Sequence, residues 1–166
     1  MCCMPKIDAV FLDRDGVINK KRDDYVKSWE EFEFLENVDE ALKLFSKHRI
    51  KIIIITNQSV INRKIISIEK LNLIHENMKN VLKEKDITID AIFYCPHKPD
   101  EGCTCRKPKP GMIQKSLEYF NLLPENCVLI GDSKTDIEAG NTMKVRSYLL
   151  GKQNLFDIAK ILTNTK

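Results

Sequence analysis

The chain has 166 residues, 43% of them hydrophobic and 31% charged, which suits one globular domain over residues 1–166 with a real core. A formal net charge of +3, with Lys and Arg spread along the chain, leaves no nucleic-acid footprint. No apolar run approaches the ~20 residues that a membrane span needs. The start, Met1-Cys2-Cys3-Met4-Pro5, lacks the apolar core of a signal peptide, so a cytoplasmic protein without membrane contact is expected.

Strands and helices alternate. Asp8 to Leu12 reads as the first strand, and Asp13 and Asp15 follow at a spacing of two. In a strand, residues two apart share a face, so both carboxylates can enter one space. Two close carboxylates repel unless a cation sits between them or one holds a proton. The Asp15-Gly16 pair is also a hairpin signal, but the charged Lys20 to Asp24 follows instead of a second alternating run. A calcium loop is excluded by the missing third Asp and terminal Glu.

Lys20 to Glu36 reads as a long surface loop, in which Tyr25, Trp29, Phe32 and Phe34 pack; Tyr25 is near enough in sequence to reach a site at the first strand's end. Asn37 is expected to cap a helix, with Glu40 as its capping-box partner, and Val38, Ala41, Leu42 and Phe45 mark the apolar face. Ile52 to Ile55 is β-branched throughout and reads as a strand buried on both faces, ending in Thr56-Asn57-Gln58-Ser59. A helix follows Ser67, with Leu71, Ile74, Met78, Val81 and Leu82 at its core spacing. Ala91 to Tyr94 is the third strand and runs into Cys95. Pro110 opens the next helix, with Leu117 and Phe120 inward. Cys127 to Ile130 is the fourth strand and leads to Gly131-Asp132; Cys127 itself is expected to pack. A helix over Thr135 to Met143, a strand over Ser147 to Leu150 and a helix over Leu155 to Leu162 complete the pattern. His48 and His75 fall on helices without ligand-spaced partners and read as surface or packing residues. Cys2 and Cys3 sit on an end expected to fray.

This alternation implies an α/β fold: a three-layer, Rossmann-like, doubly wound parallel sheet with helices on both faces. Ligands bind outside the carboxyl ends of such strands. Asp13/Asp15, Thr56, Cys95 and Asp132 all stand there, one cluster per strand.

Two constellations result. Three carboxylates at one rim, Asp13, Asp15 and Asp132, call for a hard cation, and Mg2+ binds through a few carboxylates plus phosphate and water. Asp13 would attack phosphorus and form an aspartyl-phosphate. Asp15 would protonate the leaving oxygen and then deprotonate water. Thr56 and Asn57 offer donors and Lys107 a positive charge for the transferring group, while Asp136 either supports the metal through water or holds Lys107. The second is Cys95-Pro96-His97 with Cys103-Thr104-Cys105. Three thiols and one imidazole fit a tetrahedral Zn2+ site with no open position, hence structural. Arg106 and Lys107 follow the last ligand directly, so zinc would position both; a guanidinium suits a distal phosphate or carboxylate.

Phe11 to Asn19, Thr56 to Ser59, Cys105 to Met112 and Gly131 to Asp136 resemble the four motifs of the haloacid dehalogenase superfamily. With the cysteine loop they resemble its zinc-containing branch, which holds D-glycero-D-manno-heptose 1,7-bisphosphate phosphatases and histidinol-phosphate phosphatases. The resemblance implies Asp13 as nucleophile and Asp15 as general acid/base. It implies Mg2+ on Asp13, Asp132 and the Asp15 carbonyl, and zinc on Cys95, His97, Cys103 and Cys105. Thr56 and Lys107 would hold the phosphoryl group, with Asp136 behind the metal and Asn57, Ser59, Arg106 and Tyr25 toward substrate. Five residues separate His97 from Cys103, a length familiar from the histidinol branch, and Ser133 stands where some heptose enzymes carry a lysine. The Pro108 to Met112 run and the Tyr25 to Phe34 segment resemble the heptose branch.

The gaps between motifs are too short for a cap domain, so a capless, open site edged by loops is expected. The partner expected is a phosphorylated small molecule acted on by a monomer: the 7-phosphate of heptose bisphosphate first, histidinol phosphate as the alternative. A nucleic-acid 3′-phosphatase or a non-catalytic phosphate-binding module are the further alternatives.

Overall fold

The computed structural model describes residues 6–165; Cys2 and Cys3 lie outside them. One sheet holds five parallel strands: β1 (Ala9–Leu12), β2 (Lys51–Asn57), β3 (Ala91–Cys95), β4 (Cys127–Gly131) and β5 (Arg146–Leu149), in the order β3-β2-β1-β4-β5. Five helices accompany them: α1 (Val38–Lys47), α2 (Ile68–Lys83), α3 (Gly111–Phe120), α4 (Lys134–Thr142) and α5 (Leu155–Thr163). The strand order reverses at β1, the place where α/β sheets open a ligand crevice.

Strand periodicity divides the core in two. Val10, Leu12, Ile52, Ile54, Val128 and Ile130 pack beneath α1, α2 and α5. Their neighbours Ala9, Phe11, Ile53, Ile55 and Leu129 pack beneath α3 and α4. The β-branched run of β2 is therefore buried on both faces, as a central parallel strand requires. Among the described residues no second sheet covers the strand ends, and no helix is long and apolar enough to cross a membrane.

One local expectation differs. Asn37 does not cap α1 through its side chain. It takes a left-handed backbone, φ 60°, and offers only its carbonyl, to Ala41 N–H at 3.1 Å; a side-chain cap needs an extended backbone there. The first strand ends at Leu12, where the sequence places its end. The Arg14 carbonyl accepts from the N–H groups of Val17, Ile18 and Asn19, so Asp15 sits in a tight turn rather than on a strand.

The 20–36 segment contains one 3-10 turn, Trp29–Glu31, and is pinned by aromatic packing. Trp29 stacks on Phe32 at 5.0 Å between ring centroids, and Phe32 meets Phe34 edge-on at 5.1 Å. Val26 and Phe32 are buried with the main core. The largest α1 side chain buried in this core is Phe45, which has no solvent exposure. Phe45→Ala should cost about 3–5 kcal/mol, read as a lowered urea midpoint with an unchanged m-value.

Candidate active site

The cleft at the carboxyl ends of β1, β2 and β4 has a volume of about 410 Å3, and Asp13, Asp15, Lys107 and Asp132 line its floor. Lys107 is the centre of the floor. Its ammonium is buried and lies 3.1 Å from Asp13 Oδ1 and 2.6 Å from Asp136 Oδ1, and it donates to the Ile55 carbonyl at 2.9 Å. Burial opposes its charge, but the two carboxylates outweigh burial and hold its pKa above the ordinary lysine value. The Asn57 side chain grips the backbone of the same residue from both sides: its amide donates to Lys107 O and its carbonyl accepts from Lys107 N–H, each at 3.1 Å. Asn57 lines the cleft, but its amide is spent on this grip.

Asp13 accepts from Arg14 N–H at 2.7 Å, and burial pushes its pKa up to about 6, against the pull of Lys107. That hydrogen bond and the Lys107 contact both fall on Oδ1. Asp15 is clamped by three donors: Arg14 Nη2 and Asn19 Nδ2 on Oδ1, both at 3.0 Å, and Gln58 Nε2 on Oδ2 at 2.8 Å. Burial would raise its pKa, but Arg14, Asn19 and Gln58 together bring it below the ordinary value. Gln58 also donates to Thr56 Oγ1 at 2.9 Å, and Thr56 is buried behind the cleft.

Asp132 enters from β4. Its Oδ1 is buried without a hydrogen-bond partner, and its Oδ2 meets only Lys21 Nζ, at 3.3 Å. Oxygens of Asp13, Asp132 and Asp136 lie within 4.8 Å of one another. An orphaned carboxylate oxygen in such a cluster fits a hard divalent cation. Asp136 is spent differently: its Oδ2 accepts from Ser133 N–H at 3.1 Å and Ser133 Oγ at 2.9 Å, and its Oδ1 faces Lys107. Ser133 thus faces the start of α4 as well as the cleft. Gly16, at φ +86°, turns the chain so closely that any Cβ would overlap the Asp132 carboxylate.

Beside β3, one atom each of Cys95, His97, Cys103 and Cys105 lies within 4.8 Å of the others, and no disulfide joins them. Cys95 Sγ stands 3.4 Å from His97 Nδ1, 3.7 Å from Cys103 Sγ and 3.1 Å from Cys105 Sγ. Ligands bound tetrahedrally at ~2.3 Å would stand about 3.7 Å apart, so the donor set is preformed for one metal ion. Burial pushes the Cys95 thiol well above its ordinary pKa, so only a metal would hold it as thiolate at neutral pH. From this loop Arg106 donates to the His97 carbonyl at 3.0 Å and lines the cleft. Tyr25 lines it too, on a left-handed backbone at φ 65°. Ser59 lines it and accepts from Arg63 Nε at 3.2 Å.

Sequence reasoning missed Arg14, Asn19, Gln58, Lys21 and Arg63. His48 is exposed, as read. His75 is buried and bonds the Arg14 guanidinium at 3.1 Å. Lys107→Met would leave two buried carboxylates without their cation. It should destabilise the protein by about 3–5 kcal/mol in denaturant titrations and remove activity.

Residues 6–148 match the family model described as polynucleotide kinase 3 phosphatase. The D-glycero-beta-D-manno-heptose-1,7-bisphosphate 7-phosphatase of Helicobacter pylori J99 is 40% identical over 147 residues, 88% of this chain and 84% of that protein. The D-glycero-alpha-D-manno-heptose-1,7-bisphosphate 7-phosphatase of Photorhabdus laumondii is 36% identical, over 95% of this chain and 97% of its own. The crystal structure of the D,D-heptose 1,7-bisphosphate phosphatase from B. bronchiseptica, complexed with magnesium and phosphate, superposes with a TM-score of 0.91. It is 30% identical and covers 96% of this chain and 100% of that one. The chain belongs to the haloacid dehalogenase superfamily and, within it, to the family that holds the heptose-1,7-bisphosphate 7-phosphatases.

Proposed function

We propose that the protein is a phosphatase that removes the 7-phosphate of D-glycero-D-manno-heptose 1,7-bisphosphate through an aspartyl-phosphate on Asp13. The observation that carries the substrate reading is the charge of the cleft's rim. Arg63 and Arg106 both line it, and neither has a carboxylate partner among the described residues. Two free guanidiniums above a phosphoryl site suit a second phosphate on the same small molecule. They disfavour the ammonium group of histidinol phosphate. Trp29, Phe32 and Phe34 of the 20–36 segment pack on one another and into the core, which leaves Tyr25 at the cleft without a stacking platform and disfavours a nucleic-acid end.

The residues would act as follows. Both contacts of Asp13 fall on Oδ1, which leaves Oδ2 as the oxygen that attacks phosphorus. Lys107, which lines the cleft, would serve the phosphoryl oxygens as a fixed donor, and the Thr56 hydroxyl, buried behind the cleft, would hold Gln58 in place. Asp13, Asp132 and the Asp15 carbonyl would hold Mg2+, with Asp136 behind them; the ion's chemistry is to neutralise charge on the transferring group. Asp15 gives a proton to the leaving alkoxide as the P–O bond breaks. In the second half it takes a proton from the water that attacks the aspartyl-phosphate, and free phosphate and the Asp13 carboxylate return. In the resting site Arg14 and its neighbours hold Asp15 below its ordinary pKa; the approaching phosphate dianion raises it, and Asp15 takes up from solvent the proton that it then gives to the leaving oxygen.

Zinc on Cys95, His97, Cys103 and Cys105 would fix the loop that delivers Arg106 and Lys107.

Turnover of both heptose 1,7-bisphosphate anomers should exceed that of histidinol phosphate and of a 3′-phosphorylated oligonucleotide in kcat/KM, and Asp13→Asn should abolish it. A preference for histidinol phosphate or the oligonucleotide would overturn the substrate reading, and near-wild-type turnover by Asp13→Asn the nucleophile. Native mass spectrometry should find one zinc per chain. Stripping it with a chelator should lower Tm and kcat together, and re-addition of zinc should restore both.

A further inference from the structure

The turn after β1 sends Arg14 into the protein at the cleft lining, where only 1% of it remains exposed. A guanidinium so buried needs fixed partners. Nη2 bonds Asp15 Oδ1 at 3.0 Å, Nη1 bonds His75 Nε2 at 3.1 Å, and the Phe32 ring lies 5.9 Å from Cζ. Arginine has donors only, so His75 Nε2 must be the acceptor. That fixes His75 as the neutral imidazole with its proton on Nδ1. Its surroundings agree: burial first, then the charge of Arg14, push its pKa down to about 3. His75 sits on α2, sixty-one residues from Arg14 and outside the cleft.

We propose that His75 is a positioning residue: as a neutral acceptor it locks the Arg14 fork, and the locked fork aims the Asp15 carboxylate at the leaving oxygen. This rests on Asp15 being the general acid/base. Asn19 and Gln58 also hold Asp15, but both are neutral amides within the turn and the second motif. Arg14 alone carries charge and ties the carboxylate to a helix. A guanidinium is chosen over an ammonium because its planar fork reaches two acceptors in fixed directions. An acceptor rather than a second acid is chosen because another carboxylate on Arg14 would compete with Asp15 for it.

The test uses the metal-loaded enzyme. His75→Leu removes the acceptor; His75→Gln returns one through its side-chain oxygen. His75→Leu should lower kcat on the sugar bisphosphate roughly 10–100-fold through misplacement of Asp15, with KM changed little. His75→Gln should recover most of it. The loss in kcat/KM should shrink on p-nitrophenyl phosphate, whose phenolate leaves without a proton, since kcat/KM there reports phosphorylation of Asp13 alone. Arg14→Lys keeps the charge, loses the fork and should show the same dependence on leaving group, which serves if His75→Leu fails to fold. Equal losses on both substrates, or no recovery with Gln, would reduce His75 to a packing residue and overturn the proposal. Asp15→Asn run alongside separates the two claims. If it keeps wild-type kcat/KM on the sugar bisphosphate, the role of Asp15 itself fails. If it loses activity while His75→Leu does not, only the present inference falls.

Discussion

The whole site depends on one buried ammonium. Lys107 is buried, so Asp13 and Asp136 must face it; Asp13 directly follows β1 and Asp136 stands in the first turn of α4. The Asn57 grip on its backbone adds β2 to the same arrangement. Three crossover connections are thereby brought to one point. The charge count then demands more. Asp13, Asp15, Asp132 and Asp136 carry four negative charges, while Lys107 and Arg14 return only two inside the protein. The shortfall equals one divalent cation, and the orphaned Asp132 oxygen marks the side on which it is felt. Lys21 partly answers it from the surface, but an exposed ammonium 3.3 Å from Asp132 is a weak substitute for a bound divalent ion.

What a sequence shows about such a site follows from how each residue is constrained. Asp13, Thr56 and Asp132 are legible because strand periodicity and strand ends are local facts, and parallel topology then gathers the ends. The cysteine loop is legible because a metal fixes ligand spacing within eleven consecutive residues. Phe45 and Ile52 to Ile55 are legible because burial repeats with the element's own period. Arg14, Gln58 and Arg63 are not. Each is polar, and a polar side chain's partner lies across the fold rather than along the chain. His75 is the clearest case. Its place on a helix leaves it a surface or packing residue; that it meets a guanidinium sixty-one residues earlier depends on the turn that starts where β1 stops. Asn37 failed in the opposite direction. A good capping residue is present, but the chain enters α1 from a left-handed turn that puts its side chain out of reach.

The loops around the cleft owe their order to different physics, and this bears on specificity. The 20–36 segment has its own apolar anchors, Val26, Phe32 and the stacked Trp29, so it needs no ligand to stay in place. The 96–104 stretch has none: its residues are proline, charged or small, and it lies at the sheet's edge beside β3. Hydrophobic burial cannot order it, and a metal can, because four ligands converging on one point replace a core. Arg106 and Lys107 come directly after the last of those ligands. The nearer the cation stands to the metal loop, the less freedom it retains, and a phosphoryl group is best met by donors that do not reorganise when it arrives. A cap domain achieves the same exclusion of motion by closing over the substrate. In this chain a small aromatic core stands on one side and a preformed Cys3His donor set on the other, and the open cleft carries Arg63 and Arg106 in its lining.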